Sequence, residues 1–205
     1  MTMSPDILIA LVTFCIVSSV TPGPNNMMLL ASGATFGFGR TIPHMAGISF
    51  GCIVMMLLLG LGLAGVIARA PWLYTVLHIA STAYLLYLSW RIATSVGVGS
   101  TSARACPLGI IEAAAFQWVN PKAWAMCLGI ATGFTRPDHL TADVPLAALI
   151  LTLAGLPCIM LWAGGGTVVR QLLKRPGALR AFNIGMALLL VASLVPGLVE
   201  LVERA

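Results

Sequence analysis

The sequence predicts an all-α polytopic membrane protein of about six transmembrane helices, built as a 3+3 inverted repeat with a proline-broken first helix in each half. Three observations carry this. The chain of 205 residues is 59% hydrophobic and only 8% charged, whereas a soluble domain carries about a quarter charged residues. So few charges cannot coat a water-facing surface, so most of the surface must face lipid. Apolar runs long enough for spans of ~20 residues recur along the chain. Proline then interrupts the first run of each half, at Pro22 and Pro24 and again at Pro121.

The first run covers about 7–20, breaks at Thr21-Pro22-Gly23-Pro24-Asn25-Asn26 and resumes at Met27. The second is about 41–68 and the third about 72–92. A Ser- and Gly-rich stretch, 94–104, reads as a linker. The fourth run, about 108–134, is interrupted by Asn120-Pro121-Lys122; the fifth is about 144–169 and the sixth about 181–202. The organisation is a single membrane domain over 1–205, with repeat 1 at about 5–92, a linker at 93–106 and repeat 2 at about 107–202. Each repeat has three spans, an odd number, so two similar halves must insert in opposite orientations. The N-terminus lacks a basic region and a small-residue cleavage site, and it reads as a retained first helix capped by Asp6.

The net charge is +5, but the basic residues sit in short loops, the pattern of topology signals. No basic cluster is interleaved with aromatics, which argues against nucleic acid. Loops after spans one, three and five carry Arg40, Arg91, Arg104, Arg170, Lys174, Arg175 and Arg180; the opposite loops carry Arg69, Arg136 and Arg204. The more basic side is the cytoplasmic one, so both termini are expected outside the cytoplasm of a bacterial inner membrane. Cys15, Cys52, Cys106, Cys127 and Cys158 are odd in number and form no C-x-x-C, against a disulfide framework or zinc site. No metal or cofactor is expected.

Candidate chemistry concentrates at the two breaks. A helix cannot run through Pro22-Gly23-Pro24, and lipid offers no partners to the backbone groups set free. Protein, water or a substrate must supply them, and Asn25 and Asn26 add amides at the same depth. The bland alternative is a short helix followed by an interfacial loop. Lys122 lies midway along an apolar run, where a lysine costs ~3 kcal/mol or more. After Pro121 it can begin a half-helix and turn its ammonium towards a polar cavity, where it would attract a carboxylate. Gln117 and Asn120 precede it. The expected substrate-binding set is therefore Pro22, Gly23, Pro24, Asn25, Asn26, Gln117, Asn120, Pro121 and Lys122. Glu112 is the proton-coupling candidate, with a place in the first turn of its helix as the structural alternative. Gly47-Ile48-Ser49-Phe50-Gly51 matches a hydrolase pattern but lies within a span, so Gly47 and Gly51 read as a packing face. His44 and His78 belong to no metal spacing and read as core or interfacial residues. Trp72, Tyr74 and Trp90 fit an aromatic belt.

Thr21-Pro22-Gly23-Pro24-Asn25, Gly37, Gly47 and Gly51 resemble the first-half signature of the LysE/RhtB superfamily of amino-acid exporters. Phe116-Gln117-Trp118-Val119-Asn120-Pro121-Lys122-Ala123-Trp124 resembles its Asn-Pro-Lys segment. The stretch Ala83-Tyr84-Leu85-Leu86-Tyr87-Leu88 and the region of Trp162 before Gly164 are also similar, so the likeness covers essentially the whole chain. It is nearest to the homoserine and threonine efflux branch. Thr41 departs from it, standing where a second loop glycine is expected. The resemblance implies export of small amino acids or derivatives driven by the proton gradient, with an amino acid, protons and the lipid bilayer as partners and a homo-oligomer left open. Two rival classes are a non-transporting membrane subunit and a membrane-embedded enzyme. The enzyme would need a convergent acid–base or metal constellation, which the sequence lacks, so no enzymatic activity is expected.

Overall fold

The computed structural model describes residues 3–63, 71–94, 106–172, 176–192 and 194–195. Arg69, Arg104, Lys174, Arg175 and Arg204, and the side chains of Tyr74 and His78, lie outside this description. The described residues are mostly helical, and none of them forms a strand. The eight α-helices are α1 (Pro5–Val20), α2 (Pro24–Phe36), α3 (Phe38–Leu58), α4 (Pro71–Ala93), α5 (Ile110–Phe116), α6 (Pro121–Gly133), α7 (Leu140–Leu172) and α8 (Pro176–Ala192). Each apolar run of the sequence contains helix among the described residues. Among the described residues, Phe38–Leu58 and Pro137–Arg170 are each long and apolar enough to cross a membrane, and α1 with α2, bent by 53°, count together as a third span.

The bend between α1 and α2 falls where proline predicts it. Pro24 is the first residue of α2, a position where its missing N–H costs nothing. The second segment is a helix rather than an interfacial loop, and most of its residues are buried. Gly37 ends it with φ +87°, a conformation suited to glycine, and α3 begins at the next residue. Thr41 therefore lies inside α3 rather than in a loop. Its hydroxyl donates to the Gly37 carbonyl at 2.9 Å and lies 2.9 Å from the Ser32 hydroxyl. The cap of α1 is Ser4, not Asp6: Ser4 Oγ accepts from Ile7 N at 3.4 Å, and Asp6 sits in the first turn behind Pro5.

α2 lies at the centre, against α3, α7 and α8. Its closest contact is with α7, where glycines remove the side-chain barrier between backbones. A Cβ on Gly33 would stand 2.1 Å from the Ala163 carbonyl oxygen, and one on Gly166 would stand 2.1 Å from that of Leu30. Gly47 and Gly51 do the same between α3 and α5, with added Cβ atoms 2.4 Å from Ile110 O and 2.7 Å from Ala114 O. This is the packing face read from the sequence. It relies on small residues because lipid gives helices no hydrophobic reason to associate. His44 is buried in this core, and among the described residues neither of its ring nitrogens has a hydrogen-bond partner. Outward faces are apolar: Ile111, Leu153 and Leu161 are well exposed, as a lipid-facing surface requires. Trp72 and Trp90 are exposed at the two ends of α4.

Candidate functional site

The end of α1 leaves its last carbonyls without intrahelical partners. Side chains from three directions take them. Asn26 Nδ2 donates to Ser19 O and Thr21 O, each at 2.8 Å. Trp162 Nε1, from α7, donates to Val20 O at 3.1 Å. Lys122 Nζ donates to Thr21 O and, at 3.5 Å, to Pro22 O. The lysine thus reaches from the second half of the chain to the break in the first, and its cation meets the negative end of a helix. Gly23 makes room for it: a Cβ there would stand 2.6 Å from Lys122 Cδ.

The second break is built from the same parts. After α5 one tight turn, Gln117–Val119, leads to Asn120, whose Oδ1 accepts from Lys122 N at 3.2 Å and caps α6. Pro121 is the first residue of α6. Trp124 Nε1 donates to Trp118 O at 2.8 Å across the break.

Gln117 joins the two breaks. It is completely buried. Its Nε2 donates to Ala113 O at 2.8 Å and to Asn25 Oδ1 at 3.2 Å. Its Oε1 accepts from Asn25 Nδ2 at 2.8 Å and from Asn120 Nδ2 at 3.5 Å. The first turns of α2 and α6 both begin here, with N–H groups that no helical carbonyl can satisfy.

A cavity of about 60 Å³ lies at this junction. The breaks supply Gly23, Asn25, Asn26, Asn120 and Lys122 to its wall; α1 adds Ser18 and Ser19, and α3 adds Ile48, Ser49 and Cys52. The remaining wall is Ala123 and Met126 of α6 with Leu151, Thr152, Gly155, Leu156 and Ile159 of α7. Five of the nine expected residues therefore line one cavity. Gln117 stands just behind it. Pro22, Pro24 and Pro121 act through the backbone they shape rather than as wall. Glu112 is placed elsewhere: it is exposed, and its carboxylate accepts from Gly109 N at 3.1 Å at the start of its own short helix. The wall of Ser18, Ser19, Ser49 and Thr152 escaped sequence reading, because lone hydroxyl residues inside apolar helices look like ordinary packing residues. No group of three or more His, Cys, Asp or Glu residues that could hold a metal occurs among the described residues.

An all-helical membrane protein whose broken helices meet at a shared cavity has the build of a multi-pass translocator. Residues 16–193 match the family model of the LysE type translocators, and the chain belongs to that family, within the LysE/RhtB superfamily. The chain is 32% identical over 191 residues to a cysteine/O-acetylserine efflux protein of Salmonella typhimurium, covering 92% of this chain and 96% of that protein. A protein of the same description from Escherichia coli is 31% identical over the same length. No solved structure gives a significant match.

Proposed function

We propose that the protein exports small, uncharged amino acids or their derivatives from the cytoplasm, in exchange for protons, through the cavity between the two breaks. The observation that carries this is the composition of the cavity wall: one cation, Lys122, no carboxylate, and two helix N-termini opened by proline. Helix N-termini suit a carboxylate, and broken helices in transporters use them so. Carbonyls at the end of α1, together with Ser18, Ser19 and Thr152, suit an ammonium. A zwitterion fits both ends. A cationic side chain would find no acid in the wall, and Ile48, Met126, Leu151 and Ile159 favour a short, largely apolar one. The cysteine/O-acetylserine efflux activity named for the relatives agrees with a small neutral substrate. The substrate-binding set keeps Lys122 within it; Glu112 stands apart from the cavity.

Reconstitution into liposomes with an imposed pH gradient tests the reading. Labelled O-acetylserine and other small neutral amino acids are expected to move, and lysine is expected to stay behind. Failure of every neutral amino acid, with folded protein in the membrane, would sink the proposal and favour a non-transporting subunit.

A further inference from the structure

We propose that Lys122 carries the exchanged proton, its ammonium alternating with the substrate's ammonium at the carbonyls of Thr21 and Pro22. This rests on the transport reading above and deepens it. Exchange of two species requires that they compete for one place. The Lys122 ammonium occupies the place a substrate ammonium needs, bonded to two carbonyls that lipid could not satisfy. Glu112 is committed to Gly109 N and Asp143 to Arg136, both away from the cavity. Across the cavity α1, α2, α3 and α7 turn hydroxyls, amides and apolar groups towards Lys122, and Cys52 is the one other titratable side chain in the wall. Ionisable residues inside a membrane mark proton and substrate paths, and a lysine can release its proton where an arginine cannot.

The step balances simply. Facing outwards, the neutral amine takes a proton from the water outside and its ammonium closes on Thr21 O and Pro22 O. Facing inwards, that N–H bond breaks and the proton passes to cytoplasmic water. The substrate's ammonium donates to the vacated carbonyls, and the neutral zwitterion is carried out. One positive charge enters for each substrate that leaves. Gly23 leaves the lysine stem its place against the break, since a Cβ there would stand 2.6 Å from Lys122 Cδ.

The test compares wild type, Lys122→Met and Lys122→Arg in liposomes at matched folded amounts. Two assays use labelled O-acetylserine: accumulation into vesicles made acid inside, and exchange against unlabelled substrate with no gradient. At one proton per substrate, a pH difference of about one unit supports about tenfold accumulation by the wild type. Lys122→Met is expected to lose accumulation while retaining measurable exchange, slower than wild type because a residue of the cavity wall is changed. Lys122→Arg, which cannot release the carbonyls, is expected to lose both. Lys122→Met that still accumulates substrate overturns the proposal, because the proton then travels elsewhere. Lys122→Met that loses exchange also overturns it, and makes the lysine an anchor for the carboxylate or a prop for α1. A wild type that neither accumulates nor exchanges any small neutral amino acid overturns the transport reading itself, and this proposal with it.

Discussion

Gly33 lies within α2 and Gly39 in the first turn of α3, and substitution separates them. Alanine at Gly33 would drive its Cβ into the Ala163 carbonyl, a backbone group that moves only with its helix. The expected loss is about 1–3 kcal/mol, read as earlier melting in detergent. Alanine at Gly39 meets nothing within 4 Å and should change stability by less than about 0.5 kcal/mol. Equal melting of the two variants would refute the close approach of α2 and α7. The Asn25–Gln117 pair makes a second residue-scale case. Hydrogen bonds between membrane helices contribute on average ~0.6 kcal/mol each, so the two reciprocal bonds should give a coupling of about 1 kcal/mol in a double-mutant cycle with alanine at each position. Transport should suffer far more than stability, since Asn25 lines the cavity and Gln117 fixes it there. A coupling near zero would separate the two breaks. At this scale the sequence was most informative where chemistry is costly: Lys122 and the asparagines stand out because polar groups in an apolar run need a reason. Gln117 was legible as a polar residue beside the break, but its partner ninety-two positions earlier was not, because nothing local specifies a long-range pair.

The turn between α6 and α7 is the element whose closure the sequence hid. Asp143 is almost wholly buried, and its carboxylate accepts from Arg136 three times: Oδ2 from the backbone N at 3.0 Å and from Nε at 2.8 Å, and Oδ1 from Nη2 at 2.8 Å. A bidentate fork with a backbone donor fixes both the loop and the direction in which α7 departs. Asp143→Ala removes all three and should cost about 2 kcal/mol. Fluorescence-monitored melting of the detergent-solubilised protein measures this, and an unchanged midpoint would reduce the pair to a surface contact. Nothing local in the sequence marks Asp143, because the fork depends on the fold of the six residues between α6 and α7. Helix boundaries were plainer. Pro24 and Pro121 each open a helix, and the apolar runs mark the rest. The join between α2 and α3 was misread at Thr41, since a single glycine with positive φ makes the whole connection where a longer loop is the ordinary expectation. The short helix of Glu112 was legible only as two equal alternatives: the same acid suits a helix N-terminus and a buried proton site, and the fold puts it at the former.

For the whole molecule, the question is how the two halves lie in the membrane. We propose the inverted repeat of 5–92 and 107–202, and the juxtaposition of the two breaks supports it. If the halves are inverted, the chain leaving each broken segment must emerge on opposite sides. The first emerges at Gly37 to Arg40, the second at Thr135 to Asp138. Basic residues favour the cytoplasm, so Arg40 is expected inside and Asp138 outside. The exposed positions 40 and 138 allow a direct test. Four native cysteines are buried and only Cys106 is exposed, so Cys106→Ser clears the background without disturbing the core. On that background, Asp138→Cys should react with a membrane-impermeant maleimide in intact spheroplasts. Arg40→Cys should react only once the membrane is opened. Both positions have similar freedom at a helix end, so a difference in labelling reports sidedness rather than reactivity. A reporter active only in the periplasm, fused to the C-terminus, should be active in the same cells, because six spans return the chain to the side where it began. Labelling of both cysteines from one side would make the halves parallel rather than inverted, and the shared proline breaks would then need another explanation.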